Sequence, residues 1–457
     1  MTNNAKTKGV ETLLGEPKQA VFKLAIPMII AMVINSLYTF IDSIWVAGLG
    51  DCALASVGFV NPLYLIILGF SNGIGAGATS VISRYIGAED KKEADNAALH
   101  VLLLIVILSI FFTITLLYFL KPVLLAMDVG KAIDLSLSYG NILFAGSFFI
   151  VFTSGAYGLF RAEGNVKKTT YAMLFGAILN IILDPILIYG LNLGVKGAAI
   201  ATITSLACVS LLLFYWFKSD TYLSFDFKDF KYKNKITKQI LSISLPNGSE
   251  FLFMALLSAS LNMILMSVSG VNGVATYNGG WKLVSLVLVP TIAIGNTVIA
   301  IAGANYGAKK YENLAIIQNY AIKLSGIISI FLVIFVFIFA PQISYLFAYG
   351  PNSADLSASI TEFLRITVLY YIFVPFGFPS ISIFRGIGKG LNSLVIAFLR
   401  ALVFQIMFAY VLAVVLGLGK TGVWYGIVAG SALGSIISFI WAKMTIKRLI
   451  KYKKVAK

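Results

Sequence analysis

Charged residues are scarce in this sequence of 457 amino acids. Asp, Glu, Lys and Arg make up only 12% of the chain, 59% of the residues are hydrophobic, and the mean hydropathy is +0.91. Soluble domains carry about 25% charged residues. A chain with this composition has too few polar side chains to cover a water-exposed surface. The composition therefore excludes a soluble globular protein and indicates one that lies in a lipid bilayer.

Cysteine and histidine are also rare. Cys52 and Cys208 lie in or beside different apolar segments, so we predict no structural disulfide. His100 has no cysteine or carboxylate ligand near it in the sequence, so a packed or interfacial histidine is expected rather than a metal site. The chain lacks the phosphate-binding pattern G-x-x-x-x-G-K-[ST]. These features do not indicate an enzyme or a cofactor.

Long apolar stretches dominate the sequence. Each has about 20–27 residues, which is enough for a helix to cross about 30 Å of hydrocarbon, whereas a membrane β-barrel shows short alternating segments. The fold class is therefore predicted to be an all-α polytopic membrane protein with twelve transmembrane helices. The predicted spans are 22–46, 53–80, 97–120, 134–160, 168–190, 197–217, 240–268, 273–301, 316–340, 357–384, 391–416 and 422–446.

The 35 basic residues give a net charge of +16, and they fall mainly in every second loop. Lysines are dense in the longest loop, from Lys218 to Lys238, and after the last span. The alternate loops hold only Lys121, Lys131, Lys196 and Lys420. This distribution is the positive-inside pattern of membrane proteins rather than a nucleic-acid-binding surface. It predicts a multi-pass plasma-membrane protein with both termini in the cytoplasm. The polar leader Met1–Pro17 is not typical of a signal peptide.

The two halves of the chain resemble each other. Ala25-Ile-Pro27 recurs as Ser244-Leu-Pro246, and Arg84-Tyr-Ile-Gly-Ala88 recurs as Ala304-Asn-Tyr-Gly-Ala308. We predict an N-terminal six-helix bundle (1–217), a basic cytoplasmic linker (218–238) and a C-terminal six-helix bundle (239–457). Because each bundle has an even number of helices, the repeat is parallel, and the bundles enclose a cleft near the membrane midplane.

Several polar side chains of the first half lie inside apolar spans. Tyr38 and Asp42 share one helix face, as do Asn180 and Asp184, and Thr202 lies early in the sixth span. Charged groups in hydrocarbon are costly and indicate function, and these oxygen ligands suit Na⁺ or a proton-binding carboxyl. The repeat places no carboxylate at the equivalent positions of the second half. The alternative is a pair of interfacial aspartates without a binding role.

The second half carries a different set of charges. Glu250, Lys282 and Arg400 all lie within its predicted spans. We expect Glu250 to provide the counter-charge for the two basic residues, either as a structural ion pair or as part of a substrate cleft.

At this point the residues resemble the multidrug and toxic compound extrusion (MATE) family, most closely its archaeal and DinF-like branch. The resemblance covers the whole chain and includes the parallel repeat, Pro27, Tyr38 with Asp42, and Asn180 with Asp184-Pro. It implies a V-shaped pair of bundles that exports organic cations or amphipathic drugs in exchange for H⁺ or Na⁺. It also implies a helix bend at Pro27.

The resemblance assigns the coupling ion to the first bundle. Asp42, Asn180, Asp184 and Thr202 are implied to bind H⁺ or Na⁺, with Tyr38 and Tyr139 as hydrogen-bonding neighbours. We therefore expect a secondary antiporter that acts as a monomer on small cationic or amphipathic molecules, with no cofactor beyond the coupling ion. Two alternatives remain: a lipid-linked glycan flippase of the same superfamily, which needs a basic cleft, and a transport-inactive membrane scaffold or sensor.

The charge pattern makes a prediction about topology. In a variant without Cys52 and Cys208, a cysteine placed in the Lys218–Lys238 loop should react with an impermeant maleimide only from the cytoplasmic face. A cysteine placed near Lys131 should react only from outside. The reverse pattern, or an odd number of crossings, contradicts the arrangement in two six-helix bundles.

Overall fold

The computed structural model describes residues 7–345 and 354–455, and these are almost entirely helical, with no β-strand among them. Helices are expected here because hydrocarbon offers no hydrogen-bonding partner for an open backbone group. The spans, labelled α1 to α12, are Pro17–Ala47, Asp51–Gly87, Lys91–Ala126, Gly130–Ala162, Val166–Gly190, Val195–Ser219, the two parts of Asn234–Gly307, Tyr311–Tyr345, Ala354–Gly386, Gly390–Val415 and Gly419–Val455.

Two adjacent spans form one continuous helical run, and another span is bent. Asn234–Gly307 is a continuous run of 74 helical residues, but Gly270 has φ 62° and ψ −154°, so it divides the run into α7 and α8. Gly130–Ala145 and Ser147–Ala162 meet at a bend of 48° and together form α4. The prediction of a polytopic all-α membrane fold is therefore confirmed. The helices are longer than the predicted spans because their polar ends extend beyond the apolar segments.

The connections between spans define two faces of the molecule. We call the face that carries both ends of the described chain the terminal face, and the other the opposite face. The terminal face is formed by the connections 88–90, 163–165, 220–233, 308–310 and 387–389. The opposite face includes the connections 48–50, 127–129, 191–194 and 416–418.

A short helix at Lys8–Leu14 lies on the terminal face. The side chains of Val10 and Leu13 are buried, and Gly9 packs against the backbone of Glu163 and Gly164. The leader predicted to be merely polar therefore contains a packed helix. Residues 1–6 lie outside the described part of the chain.

The connection between the halves is held against the first half. The Asn96 side-chain amide donates a hydrogen bond to the Lys231 carbonyl and accepts one from the Lys231 N–H. His100 Nε2 accepts a hydrogen bond from the Lys233 N–H at 2.8 Å. His100 is fully buried, as expected for a packed histidine, and both cysteines are free. The non-helical connection is only 220–233, shorter than the predicted linker, because α6 continues to Ser219 and α7 begins at Asn234.

A buried carboxylate also fastens this connection. Glu163 accepts hydrogen bonds from the Thr221 hydroxyl and the Tyr222 N–H, both at 2.8 Å. Burial raises the pKa of the Glu163 carboxyl to about 7. This carboxyl therefore gains or loses its proton near neutral pH.

The two halves approach each other most closely where α2 and α8 cross at the terminal face. A Cβ atom on Gly87 would overlap the carbonyl oxygen of Ala304, and one on Gly307 would overlap that of Arg84. These residues belong to the repeated sequence motif, so the glycine of each half packs against a backbone carbonyl of the other half. Glycine at both positions allows the two backbones to touch, as small residues do between membrane helices.

The crossing predicts an effect on stability. Gly87→Ala should lower the melting temperature in detergent, because forcing a methyl group against a fixed carbonyl costs about 1–3 kcal/mol or more. Gly326→Ala is the matched control, since nothing lies within 4 Å of a Cβ at that helical position. The control should be neutral or slightly stabilising, because alanine favours helix more than glycine does. Equal melting temperatures for the two variants would show that the crossing is not close-packed.

Candidate functional site

The polar groups inside the spans form two separate regions. One is a carboxylate pair within the first half, and the other is a cavity between the halves. The structure brings most of the sequence-predicted residues into one region or the other, as described below.

The carboxylate pair joins α1 to α5. Asp42 and Asp184 lie within hydrogen-bonding range of one another, and the Asn180 amide N–H donates to Asp184 Oδ1 at a long 3.5 Å. Asp184 is fully buried and Asn180 is 3% exposed. An ionised carboxylate can only accept hydrogen bonds. Two carboxyl groups in contact therefore need a shared proton or a cation between them.

Unused oxygens in this region point to the same need. Asp42 Oδ1, Asp184 Oδ2 and Asn180 Oδ1 are buried and have no hydrogen-bond partner within the described part of the chain. Buried polar atoms are nearly always satisfied in native proteins. Three unsatisfied acceptors in one place form a ligand set that suits a hard cation such as Na⁺, or a proton.

Tyrosines surround the pair. Tyr38, Tyr64 and Tyr139 all lie within electrostatic range of the Asp42 carboxyl, and Tyr139 is also close to Asp184. The family resemblance indicates Tyr38 and Tyr139. Tyr64 was missed, because it lies on the second span, and no pattern in the sequence shows which of its residues face Asp42.

A small cavity of about 40 Å³ adjoins the pair, between α1, α4, α5 and α6. This volume is enough for a water molecule or a small ion. Thr202 lines the cavity beside Asn180, although its hydroxyl donates to the Ala198 carbonyl at 3.1 Å. The polar residues on its wall are Asn35, Tyr38, Tyr157, Asn180, Thr202 and Ser205. Tyr157 and Ser205 were also missed by the sequence analysis.

Local sequence explains how α5 presents its carboxylate. Pro185 follows Asp184 directly and cannot donate a backbone hydrogen bond, and the helix continues through a π-helical segment at Ile186–Gly190. The Tyr189 hydroxyl then donates to the Trp45 carbonyl at 2.5 Å. This bond ties the end of α5 to the end of α1, and so holds Asp184 opposite Asp42.

The second region is a cavity of about 380 Å³ between the halves. Its wall combines aromatic side chains, including Trp281, Tyr370 and Phe378, with amide groups. Four charged side chains line it: Arg161, Glu250, Arg385 and Arg400. Among the lining residues, Glu250 is the only carboxylate.

The expected partner of Glu250 is corrected by the structure. Glu250 pairs with Arg385, at the terminal end of α10, and not with Lys282 or Arg400. Lys282 is exposed and does not line the cavity. The prediction of this partner was wrong because Arg385 lies just beyond the predicted span 357–384, and the sequence does not show which helix faces meet.

Arg400 occupies an unusual stretch of α11. It lies in the π-helical segment Leu399–Gln405, and its side chain is 7% exposed. Its Cζ lies 5.1 Å from the centre of the Phe378 ring, and Gly434 leaves room for its methylene groups. Arg400 Nε and Nη1 are buried and have no hydrogen-bond partner among residues 7–345 and 354–455. Wide helical turns of this kind often occur at functional sites.

A polytopic helical fold, with ligand groups inside one half and a cavity between the halves, is the layout of a membrane transporter. The family model MatE matches residues 27–186 and 246–411, so it matches once in each half. The matched segments begin at Pro27 and Pro246 and end at Ile186 and Val411. The chain belongs to the MatE family, that is, to the MATE transporters of multidrug efflux.

Individual relatives agree with this assignment. The chain is 28% identical over 452 residues to the "Probable multidrug resistance protein YoeA" of Bacillus subtilis (strain 168), covering 93% of this chain and 94% of that protein. A solved structure described as "Outward-facing conformation of a multidrug resistance MATE family transporter of the MOP superfamily" is 40% identical, with TM-score 0.95 and coverage of 98% and 100%.

A further similar structure is described in terms of its pocket, as "Reverse polarity of binding pocket suggests different function of a MOP superfamily transporter from Pyrococcus furiosus Vc1 (DSM3638)". It is 39% identical to this chain, with TM-score 0.95 and coverage of 97% of this chain and 99% of that one.

The ion pair at the cavity makes a prediction. Glu250→Gln should lower the melting temperature strongly, because it leaves the 7% exposed Arg385 as an uncompensated charge, at a cost of about 3–5 kcal/mol. Glu362→Gln is the matched control, since it removes the more exposed Glu362–Lys420 pair, which spans 3.7 Å and contributes at most about 1 kcal/mol. A Glu250→Gln protein of normal stability but altered substrate range would show that Glu250 recognises substrate instead.

Proposed function

We propose that this protein is a secondary antiporter that exports organic cations or amphipathic drugs in exchange for H⁺ or Na⁺. The observation that carries the proposal is the buried contact between Asp42 and Asp184, beside acceptor oxygens that have no partner. A proton or a Na⁺ between the carboxyls removes their repulsion, and its departure restores that repulsion. Ion binding therefore favours one arrangement of α1 and α5 over another.

Helix α1 is one of the helices that connect the ion site to the substrate cavity. Asn35 and Tyr38 line the small cavity beside the carboxylates, and Met32, one turn earlier, lines the cavity between the halves. Pro27 precedes both and removes a backbone hydrogen bond from α1, while its carbonyl accepts a bond from the Thr170 hydroxyl at 3.0 Å. We infer that α1 bends about Pro27 when the ion binds, which changes the shape of the substrate cavity.

The basic loops indicate how the protein is oriented in the membrane. The terminal face carries the lysine-rich connections, so we assign it to the cytoplasm, with both termini there and the protein in the plasma membrane. The crossing of α2 and α8 then closes the cytoplasmic side of the cavity. This arrangement corresponds to an outward-facing state, which is the conformation named for one of the similar structures.

The cavity is suited to small molecules with large apolar parts. Trp281, Tyr370 and Phe378 offer ring faces to such molecules, and the polar groups on the wall fix orientation. We propose transport without chemical change, by a monomer in the bilayer, with no cofactor and no nucleic-acid partner.

A lipid-linked glycan flippase is the second candidate. Three arginines on the cavity wall favour it, because such a substrate carries a pyrophosphate. The Pyrococcus furiosus protein, described by the reverse polarity of its binding pocket, is a relative of the same fold. The carboxylate pair favours the antiporter, since a flippase does not require a cation site of this kind.

The ion site is tested by removing one charge at a time. Asp42→Asn and Asp184→Asn should leave the fold and the expression level unchanged, but should abolish export. Export is measured with fluorescent cations and amphipaths in proteoliposomes, with the pH gradient and the Na⁺ gradient imposed separately. Asn180→Ala should weaken export strongly. Gln405→Ala, at the repeat-equivalent position in the second half, should have a much smaller effect.

The outcomes separate the candidates. Wild-type export rates in both Asp variants under either gradient would disprove the ion site. Transport of a lipid-linked pyrophosphate with no ion dependence favours the flippase. No transport of any substrate by the folded wild-type protein favours the scaffold or sensor.

A further inference from the structure

The charge of the cavity between the halves is not balanced by the protein. Three guanidinium groups and one carboxylate line it, and the carboxylate of Glu250 is taken by Arg385. Arg161 and Arg400 form no ion pair within residues 7–345 and 354–455. The cavity therefore carries two uncompensated positive charges among the membrane-spanning helices. Charged groups at this depth are costly and are kept where they serve a function.

Arg400 has the clearest need for a partner. Its side chain is more than nine-tenths buried, and two of its nitrogens that carry hydrogens, Nε and Nη1, have no acceptor among the residues that the structure describes. Nε of Arg385 is likewise buried and unsatisfied. A guanidinium group presents adjacent N–H donors in a plane, which matches the oxygens of a carboxylate, sulfonate or phosphate. An oxyanion supplies both the acceptors and the counter-charge, whereas a neutral acceptor leaves the charge unbalanced.

The rest of the wall specifies what the oxyanion is attached to. Phe251, Phe253, Met254 and Trp281 line the same cavity, and the Phe378 ring lies against Arg400. These side chains fit an apolar body of moderate size. A purely cationic drug meets two unpaired guanidinium groups here, which disfavours its binding.

We propose that the cavity binds amphipathic molecules with an acidic head, and that Arg400 recognises the head, with Arg161 contributing from the first half. The inference rests on the proposed function, and it narrows the substrates of the same transport cavity from organic cations and amphipathic drugs to amphipathic molecules with an acidic head. The acidic head has two sources: a soluble amphipathic acid and an anionic lipid. Both present the same chemistry to Arg400.

The test compares two probes with one apolar body and opposite heads. 1-Pyrenebutyrate and the corresponding pyrenebutyl-trimethylammonium are titrated onto the full-length protein in phosphatidylcholine nanodiscs, with energy transfer from tryptophan to pyrene as the signal and empty nanodiscs as blank. Trp281, on the cavity wall, makes the signal sensitive to this site. We expect the butyrate to bind at least about tenfold more tightly than the ammonium compound.

Arg400→Gln should weaken butyrate binding at least about tenfold and leave binding of the ammonium compound no weaker. Lys282→Gln is the matched control, since it removes a base from the same half that is exposed and outside the cavity, and it should change neither affinity. Should Arg400→Gln fail to fold, as judged by its melting temperature, Arg161→Gln tests the same charge from the first half.

Nanodiscs that contain phosphatidylglycerol distinguish the two sources of the head. Competition by this lipid against the butyrate shows that a lipid headgroup occupies the site, whereas undiminished binding shows a preference for the soluble acid. Equal affinity for the two probes, or unchanged butyrate binding in both arginine variants, overturns the proposal. Neither result bears on the Asp42 and Asp184 site, which is measured by gradient-driven transport, so failure of one proposal is distinguishable from failure of the other.

Discussion

Backbone contact between α2 and α8 determines where the other parts of the protein lie. Gly87 and Gly307 meet the carbonyls of Ala304 and Arg84, so the two halves touch at one face of the molecule. The Ser80 hydroxyl also donates a hydrogen bond to the backbone carbonyl of Arg385 at 2.5 Å, and the side chain of Arg385 pairs with Glu250. Because the halves are joined at this face, the space between them lies further into the membrane. The closed end of the cavity is therefore set by a contact at two residues that have no side chain.

The two polar regions share two helices. The small cavity beside the carboxylates is lined by α1, α4, α5 and α6, whereas the larger cavity is lined from both halves. Helix α1 contributes Met32 to the larger cavity, and Asn35 and Tyr38, one and two turns later, to the small one. Helix α4 contributes Arg161 to the larger cavity and Tyr157, one turn earlier, to the small one. A displacement of α1 that follows a change in charge at Asp42 must therefore alter the cavity wall. This gives the antiport proposal a physical route through α1.

The sequence predicted those site residues that hydropathy and helical spacing reveal. It did not predict contacts that depend on how the helices pack against each other. Asp42 and Asp184 were found because a carboxylate in an apolar helix is conspicuous, and helical spacing placed Asn180 beside Asp184. The partner of Glu250 was not found, because Arg385 was counted as a loop residue at the end of its span, and which helix faces meet depends on the packing of α7 against α10. Tyr64 was missed for the same reason. Gly270 was not identified as the break between α7 and α8, although the gap between the two predicted spans surrounded it.

The opposite charges of the two regions affect the energetics of exchange. In the proposed mechanism, the two carboxyls of the first half bind a cation, and the two unpaired guanidinium groups of the cavity bind an anion. Exchange of an outgoing monovalent cation for one incoming H⁺ or Na⁺ moves no net charge. Exchange of an outgoing monovalent anion for the same ion moves the equivalent of two positive charges inward. Each charge gains about 2.3 kcal/mol from a membrane potential of 100 mV, negative inside. An acidic substrate therefore lets the membrane potential drive export together with the ion gradient, and the arginines that select such a substrate also increase the driving force for moving it.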